Sequence, residues 1–94
     1  MRTIRYTTRF KRDYKREKRS PRYRSILEAD LSAIVKLLAT DTPLLPSHRD
    51  HPLINSWKDH RDCHIKPDLI LIYRKPDSET LELVRLGSHS ELGL

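Results

Sequence analysis

Two apolar runs near the C-terminus, Leu69–Tyr73 and Leu81–Leu86, constrain the fold of this chain more than any other feature. Both have strand length, and between them lies Lys75-Pro76-Asp77-Ser78, with proline placed as in a type I turn. Strands joined by so short a turn must pair antiparallel. A third run, about Asp59–Ile65, precedes them across the turn Lys66-Pro67-Asp68, so this half reads as a three-stranded meander. A mean hydropathy of −0.72 is low for a globular chain. The apolar runs are nevertheless too concentrated to stay solvated, which argues against disorder. With 94 residues there is room for one domain, spanning 1–94, and for a small core.

Upstream of the meander the period changes. Arg2–Tyr6 reads as a short first strand, with Ile4 and Tyr6 on one face. Thr8–Arg19 has no Pro or Gly, and its Phe10 and Tyr14 are spaced to form a narrow apolar seam on an otherwise basic helix. Ser20-Pro21 ends that helix. Ser25-x-x-Glu28 has the form of a capping box for a second helix, carried by Leu27, Leu31, Ile34, Val35 and Leu38 and ending near Thr40 to Thr42. Residues 43–58, with three prolines, read as a loop. The expected order is β-α-α-β-β-β: an α+β fold in which a small antiparallel sheet packs against an N-terminal two-helix hairpin.

The charge is one-sided. Residues 1–24 hold eleven Lys/Arg against two acids, Asp13 and Glu17, whereas residues 25–94 hold eight against eleven. A basic block confined to one end is the footprint of a polyanionic partner, although a solvated helix face would look similar. The lone Cys63 excludes an internal disulfide, fits a reducing compartment such as the cytoplasm, and reads as a small core residue. Arg2, Arg5 and Arg9 interrupt any signal peptide, and no run approaches the ~18 apolar residues of a membrane span.

All five histidines lie in the second half, four of them between 48 and 64 and beside several aspartates. His60-x-x-x-His64 and His48-x-x-His51 have metal-ligand spacing only on a helix. On a strand, residues four apart lie about 13 Å from each other. Metal is therefore the weaker reading, no cofactor is expected, and His48 and His60 read as ordinary surface histidines. Acid–base chemistry on RNA suits the set better. Cleavage without a metal needs a base for the ribose 2′-OH, an acid for the leaving 5′-oxygen and a cation on the phosphate between them. Histidine titrates near neutrality and serves either proton role. His64 ends one strand, Asp68 begins the next, and Arg85 and His89 lie on and just after the last. In a regular strand Arg85 would share a face with Leu81 and Leu83.

Asp50-His51-Pro52-Leu53, Ser56-Trp57-Lys58, Arg61-Asp62-Cys63-His64, Pro67-Asp68-Leu69-Ile70-Leu71-Ile72-Tyr73 and Arg85-Leu86-Gly87-Ser88-His89 together resemble the successive signature blocks of YafQ-type toxins, of the RelE/ParE superfamily. The similarity spans essentially residues 2–92. It implies a toxin of a type II toxin–antitoxin system, an endoribonuclease that cuts mRNA in the ribosomal A site without a metal. Carried over by position, the catalytic residues would be His51, His64, Asp68, Arg85 and His89. His89 would be the acid, Arg85 the phosphate cation, His64 and Asp68 would share base and orientation duties, and His51 would position the nucleotide. Lys11, Lys15, Arg16, Arg19, Lys58 and Arg61 would contact RNA. The resemblance also implies a cognate antitoxin, acidic or carrying a DNA-binding end, through which alone operon DNA is reached. Leu69 and the C-terminal Gly93-Leu94 stand where the family carries aromatics that would stack on bases. Two rival readings keep the fold or the charge without the chemistry: a ParE-like toxin that does not cleave, and a basic RNA- or ribosome-binding module.

Overall fold

In the computed structural model, which covers residues 1–94, five strands form one sheet in the order β1-β5-β4-β3-β2. They are β1 (Thr3–Tyr6), β2 (His51–Pro52), β3 (Arg61–Lys66), β4 (Leu69–Arg74) and β5 (Thr80–Gly87). The helices are α1 (Thr8–Arg19), α2 (Leu27–Ala39) and the one-turn α3 (His89–Leu92). The meander β3-β4-β5 is antiparallel as expected. Two features were not expected. β1 pairs parallel to β5, with Ile4 opposite Leu81, and His51–Pro52 adds a two-residue antiparallel strand on β3.

The helical hairpin covers one face of the sheet. Phe10, Leu27, Leu31, Ile34, Val35 and Leu38 pack there against alternate strand residues such as Leu71, Tyr73, Leu81 and Leu83. Leu27, Leu71 and Leu81 are fully buried, and each such side chain stabilises the fold by roughly 1.5–3 kcal/mol. The opposite face carries a smaller cluster, Ile70, Ile72 and Leu92, flanked by Leu53, Trp57 and Val84. Two of the candidate site residues share this second face, His64 opposite Ile70 and Arg85 opposite Ile72.

Both hairpin helices depart from expectation at their polar positions. α1 starts at Thr7, whose Oγ1 accepts from the Phe10 amide at 3.0 Å. Its buried stripe runs Phe10, Asp13, Glu17, with Tyr14 only half-buried, so the two acids of the basic block are turned inward. The capping box expected at Ser25 and Glu28 does not form. The chain instead winds through turns into α2, the Ile26 and Leu27 amides reaching the Tyr23 carbonyl at 3.0 and 2.9 Å, and Glu28 faces Lys18. The same Ser-x-x-Glu signature does build a capping box at Ser88 and Glu91, where it starts α3.

A bulge in β5 corrects the expected facing of Arg85. Tyr73 is opposite Leu83 and Ile72 is opposite Arg85, which leaves Val84 unmatched. The extra residue turns Arg85 away from Leu81 and Leu83 and toward the second face, while Leu86 rejoins the main core. β1 is short, so beyond Leu83 the outer edge of β5 has no strand beside it. α1 fills the gap: the Thr7 hydroxyl donates to the Val84 carbonyl (2.7 Å), Asp13 accepts from the Leu86 amide (3.0 Å), and Arg16 donates to the Leu86 carbonyl (2.8 Å).

Candidate active site

The site grows out of two turns. Pro67-Asp68 links β3 to β4, and Ser88 caps α3 so that His89 occupies its first position. Asp68 Oδ1 accepts from both the His89 amide (3.1 Å) and the His89 Nδ1 (2.8 Å). These two bonds hold the Asp68 carboxyl below its ordinary pKa of 3.8. An ionised Asp68 only accepts, so the His89 proton sits on Nδ1 and Nε2 is the free nitrogen. The His64 ring stands edge-on to His89, with centroids 5.3 Å apart and planes at 62°.

The same logic fixes every histidine. Carbonyls cannot donate, so a ring Nδ1 facing one carries the proton. His64 Nδ1 faces the Pro67 carbonyl (3.2 Å), His51 the Arg49 carbonyl (2.7 Å), His48 the His64 carbonyl (2.8 Å) and His60 the Lys58 carbonyl (3.0 Å). In each neutral ring Nε2 therefore keeps its lone pair, the form a general base needs.

A cleft of about 410 Å³ opens beside the ring pair, lined by His48, Arg49, His64, Lys66, Pro67 and His89 among others. His48, half-buried, forms part of the cleft wall, its ring held on the His64 carbonyl. His60 lies outside the cleft, edge-on against Trp57 at 5.4 Å. No group of three His, Cys, Asp or Glu side chains is placed to hold one metal ion.

His51 stands on the edge strand β2, its Nδ1 also 3.0 Å from Asp62 Oδ1. Asp62 is 3% exposed, and because the His51 proton points at Arg49, its Oδ1 accepts no aligned hydrogen bond. Burial pushes the Asp62 carboxyl above its ordinary value, and the charges of His51, His64 and His89 oppose that rise. Asp62 reads in sequence as one aspartate among many. Only its opposition to the buried Ile72 shows that it points inward beside the site.

Arg85 is anchored. Its Nε and Nη2 donate to Asp13 at 2.7 and 3.2 Å, and Asp13 also accepts from Arg16 (2.9 Å) and from the Leu86 amide. Burial raises the Asp13 pKa, but Arg85, the Leu86 amide and Arg16 outweigh it and leave a net lowering. Arg16 further contacts Glu17 (2.8 Å) and Glu91 (3.0 Å), so this member of the basic block is neutralised within the fold. Lys11 and Lys15 rim an apolar groove on the hairpin side. Arg19 and Lys58 are exposed, and Arg61 faces Asp50 at 3.1 Å. Cys63 is fully buried and burial pushes its thiol pKa far up, as suits a core residue.

The chain matches the family described as the bacterial toxin of type II toxin–antitoxin systems, YafQ, over residues 2–93. It is 38% identical over 92 residues to the mRNA interferase toxin YafQ of Escherichia coli BL21-DE3, covering 97% of this chain and 95% of that protein. The structure is similar to that of YafQ in the E. coli DinJ–YafQ complex, with a TM-score of 0.82, 35% identity and 98% coverage of both chains. It is also similar to a metal-bound toxin from Helicobacter pylori, with a TM-score of 0.83, 45% identity, and 98% and 99% coverage.

Proposed function

The chain belongs to the YafQ family of type II toxins, and from that premise we propose that it is a ribosome-dependent, metal-independent endoribonuclease acting on mRNA in the A site. The Asp68–His89 pair beside His64 is the observation that carries this reading. A non-cleaving toxin or a passive RNA-binding module has no use for a carboxylate that fixes one histidine while a second histidine lies against it.

His64, with its Nε2 lone pair free, or His51, in the same tautomer, takes the proton from the ribose 2′-OH. The 2′-oxygen bonds to phosphorus and the bond to the 5′-oxygen breaks. His89, doubly protonated, keeps Nδ1–H on Asp68 and gives its Nε2 proton to the leaving oxygen. The products are a 2′,3′-cyclic phosphate and a 5′-hydroxyl. Arg85, held by Asp13 on one side, offers its remaining amino edge to the phosphate. Lys11, Lys15, Arg19 and Lys58 contact ribosomal RNA, and such binding weakens steeply with salt. The E. coli relative is seen with DinJ; for this chain a cognate antitoxin, acidic or bearing a DNA-binding end, is the corresponding partner. No helix is long and apolar enough to cross a membrane, and a cytoplasmic enzyme of one domain fits the ribosomal substrate.

Primer extension on a defined mRNA during in vitro translation tests this. New 5′ ends inside A-site codons are expected with the parent protein and not with His89→Gln, while both co-sediment with ribosomes. Cleavage of free RNA at high toxin concentration should survive EDTA. Ribosome binding or translation arrest by the parent with no new 5′ ends would sink the nuclease reading.

A further inference from the structure

In-line attack by a 2′-hydroxyl places added negative charge on the non-bridging phosphate oxygens, and a fixed cation there lowers the barrier. The cations around the site differ in what they already hold. Arg85 is occupied by Asp13, Arg16 by Asp13, Glu17 and Glu91, and Lys66 by Asp30 at 2.8 Å. Arg49 lines the same cleft as His64 and His89, is exposed, and its guanidinium has neither an ion-pair nor a hydrogen-bond partner. It is the un-neutralised arginine of the cleft wall.

The backbone at this position is also unusual. Arg49 lies in the left-handed region, at φ 47° and ψ 44°, at the end of the turn Pro46–His48. Long side chains rarely adopt that conformation, which glycine and asparagine accept more easily. Here it turns the Arg49 carbonyl onto His51 Nδ1 at 2.7 Å, and the Arg49 amide donates to Pro46 at 3.1 Å. One residue therefore fixes the tautomer of a candidate base and carries a free guanidinium into the cleft. Strain kept beside a cluster of proton-transfer groups points to use of the side chain.

We propose that Arg49 is a catalytic residue of this site, its guanidinium gripping the non-bridging oxygens of the scissile phosphate. The proposal rests on the nuclease reading above and adds the charge that the Arg85–Asp13 pair, close to neutral as a unit, does not supply. A guanidinium donates two parallel N–H groups to a phosphate, which lysine at the same position would not reproduce.

Arg49→Gly is the decisive variant, because glycine is at ease at this φ and only the side chain is lost. Single-turnover cleavage on programmed ribosomes should fall by roughly 10²-fold or more. Ribosome co-sedimentation and thermal midpoint should hold, and millimolar guanidinium ion should restore part of the rate to the variant but none to the parent. Arg49→Lys should be intermediate. A cleavage rate for Arg49→Gly equal to the parent's overturns the proposal, and so does a loss confined to ribosome binding. If the parent itself makes no cuts, the nuclease reading has failed. The phosphate contact is then judged by NMR with a non-cleavable 2′-O-methyl RNA: a shifted Arg49 Nε–Hε resonance upholds it, and an unmoved one overturns it.

Discussion

Asp13 and Asp68 are both carboxylates paired with a cationic or protonatable side chain near the end of β5, and both titrate below their ordinary value. Their surroundings are opposite. Asp13 is 3% exposed and saturated: two arginines and a backbone amide fill its oxygens, and it ties α1 to β5. Asp68 lies at the surface, with a side chain 46% exposed, and its partners are the amide and ring of a single residue, His89. The first carboxylate immobilises an arginine; the second orients a histidine and leaves its reactive nitrogen free. Saturation with donors makes Asp13 an anchor, and the partly exposed Asp68, with one titratable partner, suits the proton-transfer role proposed for His89.

The sharpest way to break the comparison is Asp68→Asn. The amide can donate to His89 Nδ1 and so keep that nitrogen unprotonated, which disfavours the doubly protonated ring that the proposed acid step needs. Cleavage should fall by roughly 10³-fold, with the urea midpoint unmoved. A parent-like rate would remove Asp68 from the mechanism.

Asp13→Asn should act through the fold. Leaving Arg85 and Arg16 without their shared carboxylate costs about 3 kcal/mol of stability, readable in urea. Acid titration of the parent gives the matching limb. Because the folded-state pKa is depressed, the stabilisation from Asp13 is complete above its ordinary 3.8 and disappears as pH falls through the lower folded value. The variant should lack that limb. A stability profile of Asp13→Asn parallel to the parent's at every pH would contradict the anchoring role.

Asp62 supplies the smallest and opposite effect. Its pKa is raised by burial, so its charged form is disfavoured in the fold and detracts from stability once pH climbs past 3.8. Asp62→Asn should therefore stabilise the protein at neutral pH, by about 1 kcal/mol, and the gain should vanish in acid. A destabilised variant at pH 7 would mean that Asp62 has an aligned partner after all.

The strong periodicities are what the amino-acid sequence makes legible. Leu69–Tyr73, Leu81–Leu86 and the Leu27–Leu38 stripe each declare their element, and short turns declare the antiparallel pairing. The parallel docking of β1 and the His51–Pro52 strand leave no such trace, since a two-residue strand has no period and a distant partner writes nothing locally. The Val84 bulge is invisible for a related reason: it exists only in the register of two strands. Ser25 and Ser88 bear the same capping signature, and only tertiary context decides which one caps a helix. At the site, His64, Asp68 and His89 are legible through strand ends and family resemblance, and the structure brings them together. Asp13 is hidden because an acid among eleven cations reads as solvated. Arg49 is hidden because nothing in a loop sequence announces a left-handed arginine.

The helix that closes the outer edge of β5 has a consequence beyond the monomer. Exposed strand edges invite other chains to zip on and extend the sheet. Here the end of β5 nearest His89 offers no such template, since its carbonyls and amide are already taken by Thr7, Asp13 and Arg16. The flanks that stay open are a four-residue strand at one side and a two-residue strand at the other. Sheet extension is thereby confined to these two short flanks, and the end of β5 nearest His89 is closed to it by side chains.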